Sequence, residues 1–552
     1  MSNDKLSKIL LVSIIFLIFL LVAKFVKEIK LGFIEKFIIY YYFYFLLVLF
    51  SLISVFIYLN FKNIRKEFLK IKSKTWTYFL IIFILALILR GWIIPHTFEV
   101  INDEYFHIDK AKNLAEQQIN AHCIFSLGGK CRVYEADHWP PGYHLILAAA
   151  FRIFGASPKA AFNLNALIGS LSVMLVFFIV YLLLKKENIA LWGALLFTFI
   201  PVHLKLSGTA TLEVMSLFFV LLTLLFLLIY FKNQSKSILI LASLVLAYTV
   251  QIRLENILFV FLFGLMFIMF DKKLKEKIKS SNFTGLLLLM LILLIPCFLQ
   301  IRYSGSLKVP GWNDSLAEHI IHFSKNIKDN TLFWFKSYAY PLLYSLLSIV
   351  GLIFMVQKKE KRKIAILFSI WFLAFFIFYT SYSFGSFIHF GDSWRFTDNL
   401  YVPLIIFASF GIESIVGLAK NKSTQKIIKL ALIVFILLIP YSFANFINLD
   451  TPQKEESKFI FSLENKIGDN CLVIVHNPVE FITTINKNAI SPFLIDRYDV
   501  FDYSNCVFYY FDLFHDEEMS TRVTNNYKLV PYINFTEKVR GRQYYLYRVL
   551  KK

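Results

Sequence analysis

Apolar runs alternate with short polar, lysine-rich intervals over the first 445 residues of the chain. A helix of about 20 apolar residues crosses a bilayer, and most of these runs approach that length. The pattern predicts about thirteen transmembrane helices. They cover 9–23, 37–59, 77–95, 160–184, 189–206, 209–230, 237–252, 254–270, 284–301, 338–357, 363–380, 398–417 and 427–445. The chain is therefore predicted to be a polytopic α-helical membrane protein.

Composition agrees with this prediction. The 552 residues are 58% hydrophobic and include 61 phenylalanines, which lies outside the range of soluble globular proteins. The net charge is +21, but the basic residues concentrate in short loops between the apolar runs. Basic residues in such loops orient helices and contact anionic headgroups. The charge therefore indicates membrane lipids as partners and argues against nucleic acid.

The same basic residues predict how the chain is oriented. The intervals richest in Lys and Arg are 61–74, 185–188, 271–279, 358–363 and 420–429. The positive-inside rule places these intervals and the amino terminus in the cytoplasm. The predicted outer segments are 96–159, 302–337, 381–397 and 446–552. One interval disagrees with the rule, because 24–36 holds four lysines and yet falls outside.

Three domains follow from the changes in character along the chain. Residues 1–76 form an extra pair of transmembrane helices, whose first run ends at Lys24 without a small-residue cleavage site and is expected to be retained. Residues 77–445 form the main membrane domain. From 446 to 552 apolar density falls and β-rich runs alternate with pieces of helical potential. This tail is predicted to be a small extracytoplasmic α/β domain of about a hundred residues.

Four of the five cysteines fall in two outer segments. Cys123 and Cys131 share the first large outer loop, and Cys471 and Cys506 share the tail. Disulfides form in oxidising compartments, so each pair is a disulfide candidate that agrees with the predicted orientation. Neither pair has the close spacing of a zinc site.

An adjacent acidic pair stands at the mouth of a predicted span. Asp103 and Glu104 open a stretch with helical potential that runs to about residue 118 and places His107 four positions after Asp103. Acidic residues there are costly unless water or a cation meets them. The structural alternative is that Asn102 or Asp103 only caps this helix. In a partly dry cleft, the carboxylate of Asp103 would take a proton from an acceptor hydroxyl.

A proline-rich turn closes the same outer loop. The run 138–144 reads His-Trp-Pro-Pro-Gly-Tyr-His, and its prolines favour a turn that leads into a short helix. This helix carries Arg152 and is predicted to lie along the membrane interface. His138 is interpreted either as a substrate contact or as a polar interfacial residue.

Other charged residues lie at the predicted outer ends of spans. Arg253 and Glu255 interrupt an apolar region, where they form either an ion pair at a tight turn or part of a site. Arg302 and Arg395 each stand beside a span end. The guanidinium fork of such an arginine suits a lipid phosphate, although a plain interfacial anchor would look the same.

The order of these motifs resembles the GT-C membrane glycosyltransferases, specifically the protein O-mannosyltransferase and aminoarabinose-transferase branch. Asp103-Glu104-Tyr105 matches the family's Asp-Glu motif. The run 138–143 is similar to its His-Pro-Pro-Leu-Tyr turn, with one Trp inserted. Arg253-Leu-Glu255-Asn256 looks like its Arg-x-Glu step, and Arg395-Phe396 followed by Pro403 resembles its Arg-Tyr and downstream Pro. The resemblance covers roughly 77–417.

The resemblance implies a GT-C-like fold and a sugar donor carried on a polyprenyl or dolichyl phosphate. The expected reaction is inverting transfer on the outer face to a protein, lipid or glycan acceptor. Asp103 would be the general base, and Glu104 would hold the acceptor or a cationic neighbour. No divalent metal is expected, and the lipid-phosphate sugar enters as donor substrate.

Further substrate contacts are expected from a set of polar residues: Tyr105, His107, His138, Tyr143, Arg152, Lys159, Arg253, Glu255, Arg302 and Arg395. Relatives often have an arginine where this chain has Asn163. Lys159 or Arg152 would have to supply that charge.

Two other function classes are compatible with a polytopic membrane protein. An oligosaccharyltransferase carries a Trp-Trp-Asp signature in its tail, and this chain contains no Trp-Trp pair. A lipid-linked sugar flippase or other transporter tends to show repeated halves, and no matching halves occur here. The gathering of polar residues at one face favours an enzyme.

Overall fold

The computed structural model of the chain describes residues 24, 26–100, 102–271, 281–307, 314–388, 393–511, 517–538 and 541–552. The predicted span 9–23 lies outside these residues.

Helices dominate the described residues up to about 450. In chain order the α-helices are α1 Leu31–Lys36, α2 Tyr42–Phe68, α3 Ser73–Ile88, α4 Asp103–Gln117, α5 Gly142–Phe154, α6 Pro158–Leu184, α7 Glu187–Thr198, α8 Pro201–Ser207, α9 Glu213–Asn233, α10 Lys236–Val250, α11 Leu258–Phe270, α12 Ser281–Ser306, α13 Leu316–Lys336, α14 Leu342–Gln357, α15 Arg362–Thr380, α16 Tyr401–Leu418, α17 Lys422–Leu437, α18 Ile439–Ser442, α19 Ala444–Ile447, α20 Pro452–Ser462, α21 Pro478–Ile485 and α22 Glu517–Asn526. Short π or 3-10 segments occupy Phe37–Tyr41, Leu89–Ile93, Leu254–Ile257, Ser393–Leu400, Pro492–Leu494 and Val500–Asp502.

Eight helical segments of the described chain are long and apolar enough to cross a membrane. They are Leu31–Phe68, Ser73–Ile93, Pro158–Leu184, Glu213–Asn233, Leu288–Ser306, Arg362–Thr380, Ser393–Leu418 and Lys422–Ser442. Helices α7 and α8, bent by 62° at their junction, would together make a ninth.

The predicted count of about thirteen spans is not confirmed. The runs predicted as spans at 237–252, 254–270 and 338–357 correspond to α10, α11 and α14, which are too short to qualify as spans. Polar residues explain two of these shortfalls, because the turn that carries Arg253 and Glu255 ends α10 and delays α11. The run predicted at 189–206 is broken by Pro201, the first residue of α8.

Several helices begin where the sequence supplies a cap. The Ser157 hydroxyl accepts a hydrogen bond from the backbone N–H of Ala160, and Pro158 occupies the first turn of α6. At the start of α20, the Thr451 hydroxyl accepts a hydrogen bond from the backbone N–H of Lys454, and Pro452 occupies the first turn. A hydroxyl cap followed by proline is favoured at this end of a helix, because both reduce the number of unpaired N–H groups.

The tail forms most of a seven-stranded sheet. Its strands are β1 His122–Leu127, β2 Lys130–Glu135, β3 Leu472–Ile474, β4 Asn488–Ile490, β5 Val507–Phe511, β6 Tyr527–Thr536 and β7 Gln543–Lys551, in the order β2-β1-β4-β3-β5-β7-β6. Strand β3 pairs in parallel with β4 and β5, and the remaining pairs are antiparallel. Buried apolar clusters cover both faces of the sheet.

The sequence indicated β-rich runs in the tail alone. The sheet, however, also includes two strands from an earlier part of the chain. Strands β1 and β2 come from the loop 96–159, predicted to lie outside and called the first outer loop here, and join the sheet through the pairing of Phe125 with Ile490. Disulfides link Cys123 to Cys131 in this hairpin and Cys471 to Cys506 in the tail. The first outer loop and the tail therefore form one structural unit, and α4 leads directly into it.

Candidate active site

A cavity of about 220 Å³ lies where the first outer loop meets the ends of several membrane helices. Its walls come from six separate parts of the described chain. The lining residues are Asp103, His138, Trp139, Pro140, Leu212, Glu213, Arg253, Leu254, Glu255, Tyr379, Tyr382, Phe384, Arg395 and Phe396.

Three acids and two arginines form a connected charge network in this cavity. Nη1 of Arg395 lies 2.5 Å from Oδ2 of Asp103 and 3.8 Å from Oε1 of Glu213. Nη1 of Arg253 lies 3.7 Å from the same Glu213 oxygen, while its Nε contacts Oε1 of Glu255 at 3.2 Å. The side chains of Asp103 and Arg395 are each 17% exposed. Both ends of the closest pair can therefore be reached by a molecule that enters the cavity.

Aromatic rings lie beside the two guanidinium groups. Arg253 lies 5.6 Å from the ring centre of Tyr379 and 5.4 Å from that of Phe396, and Arg395 lies 5.2 Å from the latter ring. Tyr379 and Phe396 stack with their centres 5.4 Å apart. Contact between a cation and a ring face is attractive and grows stronger away from water.

The proline-rich turn fixes the position of the Arg253 turn. The backbone N–H of Gly142 donates to the carbonyl of Gln251 at 2.8 Å. A Cβ at position 142 would lie only 2.5 Å from that carbonyl oxygen, so the close approach requires glycine. The hydroxyl of Tyr248 donates to the Gly142 carbonyl at 2.8 Å. The first outer loop and the Arg253 turn are thereby locked together.

Glu104, which was predicted to be catalytic, does not line the cavity. Its side chain is fully buried, and both carboxylate oxygens accept hydrogen bonds from the backbone. Oε1 accepts from the N–H groups of Glu99 at 2.6 Å and Val100 at 2.9 Å. Oε2 accepts from the N–H of Ala210 at 2.6 Å. Burial raises the pKa of Glu104 to about 8, while the three N–H donors act in the opposite direction.

Tyr105, His107 and Tyr143 are also buried outside the cavity lining. His107 lies behind Trp139, with ring centres 5.2 Å apart, and its Nδ1 is 3.0 Å from Nε2 of His144. Burial lowers the pKa of His107 to about 3, so the ring is neutral at physiological pH. These side chains support the wall from behind and do not contact its contents.

The remaining predicted contacts lie elsewhere. Arg152 donates from Nε to the Ala115 carbonyl at 2.9 Å, and Lys159 is exposed at the start of α6. Arg302 donates to the carbonyl of Val26. None of the three lines the cavity. The prediction could not separate them from the lining residues, because the sequence shows where spans end but not which ends adjoin one another.

Sequence reasoning found Asp103, His138, Arg253, Glu255 and Arg395 as lining residues. It missed a sixth polar residue, Glu213, and the aromatic wall. An acid within an apolar run is itself a signal, and Glu213 lies inside the predicted span 209–230. The aromatic residues carried no comparable signal, since the chain contains 61 phenylalanines and 29 tyrosines.

Within the described residues, no group of three or more His, Cys, Asp or Glu side chains has the arrangement of a metal site. The three cavity acids each lie within 4 Å of an arginine nitrogen, so the chain supplies their counter-charge.

A protein-family model matches part of the chain. Residues 138–299, which include the proline-rich turn, Glu213 and the Arg253 turn, match the family described as dolichyl-phosphate-mannose-protein mannosyltransferase. No match was found among curated protein sequences.

Two groups of solved structures share the architecture. ArnT from Cupriavidus metallidurans, in the apo state, is 11% identical with a TM-score of 0.57, over 86% of this chain and 98% of that chain. The same protein bound to undecaprenyl phosphate gives a TM-score of 0.53 at 12% identity, with the same coverage. The oligosaccharyltransferase AglB from Archaeoglobus fulgidus, in complex with an inhibitory peptide and a dolichol-phosphate, is 12% identical with a TM-score of 0.52, over 86% of this chain and 74% of that chain.

ArnT and AglB are both glycosyltransferases of the GT-C fold. The structural similarity establishes that fold for this chain. Together with the family match, it supports a multi-pass membrane glycosyltransferase of the GT-C type.

Proposed function

We propose that the protein transfers a sugar from a polyprenyl- or dolichyl-phosphate donor to an acceptor hydroxyl, with Asp103 as general base. The observation that carries this proposal is the charge network of the cavity. In it Asp103 pairs with Arg395, and Glu213 lies close to both Arg395 and Arg253. One carboxylate for proton transfer and two guanidinium groups for a phosphate are what this reaction requires.

The lipid phosphate binds at the two arginines. Arg395 and Arg253 both lie within 4 Å of the same Glu213 oxygen, so the acid sets the spacing of their guanidinium groups. A phosphate that enters the cavity competes with Asp103 and Glu213 for the N–H groups of the two arginines. Guanidinium groups neutralise the charge that develops on the leaving phosphate oxygen, and this stabilises the transition state.

Proton transfer follows from the same exchange of partners. When Arg395 turns toward the phosphate, an oxygen of Asp103 becomes free to accept the proton of the acceptor hydroxyl. The acceptor oxygen forms a bond to the anomeric carbon, and the bond from that carbon to the phosphate oxygen breaks. The electron pair leaves with the lipid phosphate. Attack from the face opposite the leaving group inverts the anomeric centre.

The lipids bound in the similar structures support a lipid-phosphate donor. ArnT was solved with undecaprenyl phosphate and AglB with a dolichol-phosphate and a peptide. The aromatic residues Trp139, Tyr382 and Phe384 offer apolar faces for a sugar ring in the same cavity.

The site faces the extracytoplasmic side in this proposal, with the amino terminus in the cytoplasm. Two disulfides in the unit formed by the first outer loop and the tail support this orientation, since disulfides persist outside the reducing cytoplasm. The basic loops between spans support it independently.

The test is transfer by the purified protein in detergent. Radiolabelled dolichyl-phosphate mannose and undecaprenyl-phosphate aminoarabinose would be supplied with a Ser/Thr-rich peptide, a membrane-lipid extract or an oligosaccharide as acceptor. We expect release of free lipid phosphate that falls by about 10²- to 10⁴-fold in Asp103→Asn, the usual contribution of a general base.

Glu116→Gln is the matched control, because Glu116 is exposed on the same helix and lies outside the cavity lining. Near-normal turnover by Asp103→Asn would end the assignment of the base. Donor binding without turnover of any donor would favour a lipid-linked sugar transporter.

A further inference from the structure

The backbone turns sharply at the residue before Asp103. Asn102 has φ 57° and ψ −37°, a conformation that residues other than glycine rarely adopt. Its side chain makes no capping hydrogen bond to α4. Such a conformation persists only where surrounding contacts hold it, and strained backbone conformations of this kind are often found at functional sites.

One of these contacts comes from the tail. Oε1 of Gln453 accepts a hydrogen bond from the backbone N–H of Asn102 at 3.1 Å. Nε2 of the same side chain donates to the hydroxyl of Tyr105 at 2.8 Å. Gln453 is 1% exposed and Tyr105 is fully buried. A single side-chain amide therefore forms hydrogen bonds to residues on both sides of Asp103.

Gln453 is itself firmly placed. It lies in the first turn of α20, directly after Pro452 and the Thr451 cap. Nζ of Lys205 donates to three backbone carbonyls in the segment that leads to this helix, at 3.1–3.4 Å. The same ammonium lies 3.2 Å from Oε2 of Glu99, just ahead of the Asn102 turn. The tail and the Asp103 turn are thus joined to one common cation.

We propose that Gln453 positions Asp103 for proton transfer, which gives the extracytoplasmic tail a direct part in the reaction. This proposal rests on the proposed function of Asp103. Gln453 does not line the cavity and contacts no arginine of the charge network, so it acts on the base and not on the donor.

The test variant is Gln453→Met, which keeps the length of the side chain and removes both hydrogen bonds. We expect the kcat for the donor that turns over in the wild-type protein to fall by about 10- to 100-fold, as small displacements of a catalytic group do. The donor KM should stay unchanged, because the arginines are untouched. Tyr105→Phe removes half of the bridge and should give a smaller loss. It also carries the test if Gln453→Met does not fold.

Gln425→Met is the matched control. Gln425 also directs its amide to a backbone group, the Ala419 carbonyl, but it lies at the start of α17 and does not line the cavity. Its substitution should leave kcat at the wild-type value.

A purely structural role is distinguished by combining Gln453→Met with Asp103→Glu. The longer side chain already displaces the carboxylate, so a positioning residue should lose most of its effect on kcat in this background. Backbone hydrogen exchange of the segment 97–106 should also become faster in Gln453→Met, and this measurement does not depend on which sugar donor the protein uses.

Wild-type kcat in Gln453→Met, or a fully additive loss in the double variant, would overturn the positioning role while leaving Asp103 as the base. An equal loss in Gln425→Met would also overturn it. Turnover by Asp103→Asn would instead remove the proposed function on which the role depends.

Discussion

Two acid–cation regions lie on either side of one short turn, and they differ in access to solvent. In the cavity, Asp103 and Arg395 are paired but each is 17% exposed. In the junction with the tail, Glu99 and Lys205 are paired with only 2% of either side chain exposed. Glu104, the neighbour of Asp103, belongs to the closed region. Adjacent acids in one motif therefore have different surroundings: Asp103 lines the cavity, and Glu104 binds the backbone.

The partners of each acid explain this division. Asp103 contacts a side chain that can rotate to another anion, so its pairing is exchangeable. Glu104 accepts hydrogen bonds from three backbone N–H groups, which cannot leave without moving the chain. Exchangeable contacts suit a binding site, and fixed contacts preorganise it.

The largest expected effect is in the closed region. Lys205→Met leaves Glu99 buried without its cation, and loss of one partner from a buried pair costs about 3–5 kcal/mol. We expect a strongly lowered unfolding temperature in detergent. The double variant Lys205→Met, Glu99→Gln should recover part of this loss. Wild-type thermal stability of the single variant would show that the junction is not a closed region.

The next effect is in the open region. Arg395→Gln removes the cation closest to Asp103 and one of the two proposed for the donor phosphate. We expect kcat/KM for the donor to fall by about 10²- to 10³-fold, the usual effect of removing one group that stabilises developing charge. The unfolding temperature should change little. A stability loss as large as that of Lys205→Met would erase the contrast between the two regions.

Glu104→Gln tests the closed region at the residue beside the base. The amide NH₂ of glutamine would face at least one backbone N–H, so a hydrogen bond is replaced by two opposed donors. We expect the free energy of unfolding to fall by about 1–3 kcal/mol. Chemical denaturation with Glu116→Gln as control measures it, and an unchanged midpoint would contradict the role of Glu104 as a backbone clamp.

The smallest effect is a pH dependence of the unit formed by the first outer loop and the tail. Burial disfavours the charged form of His122, but attraction to the carboxylates of Asp137 and Glu135 outweighs burial and raises the pKa of His122 from 6.5 to about 9. A raised folded-state pKa stabilises the fold below pH 6.5, and this contribution is lost as the pH rises to about 9. The unfolding temperature should therefore decline over that interval by a few degrees at most. His122→Gln should flatten the decline, and an unchanged slope in that variant would contradict it.

The polar motifs were readable in the sequence because acids and arginines are rare beside apolar spans. Asp103, Arg253, Glu255 and Arg395 were identified in this way, His138 was identified through the proline-rich turn, and all five line the cavity. Arg152, Lys159 and Arg302 gave the same kind of signal and lie elsewhere. A charged residue at a span end shows its depth in the membrane, but not which other span ends stand next to it.

What the sequence determined by itself is the class of protein: local hydrophobicity and charge identify a multi-pass membrane protein, and the order of its motifs resembles the GT-C glycosyltransferases. The separate tasks of Asp103 and Glu104, the inclusion of Glu213 in the charge network and the grip of Gln453 on Asn102 were decided only by the tertiary structure. Gln453 and Asn102 are 351 positions apart. Contacts over such distances depend on how helices pack around one another, and no local pattern specifies that.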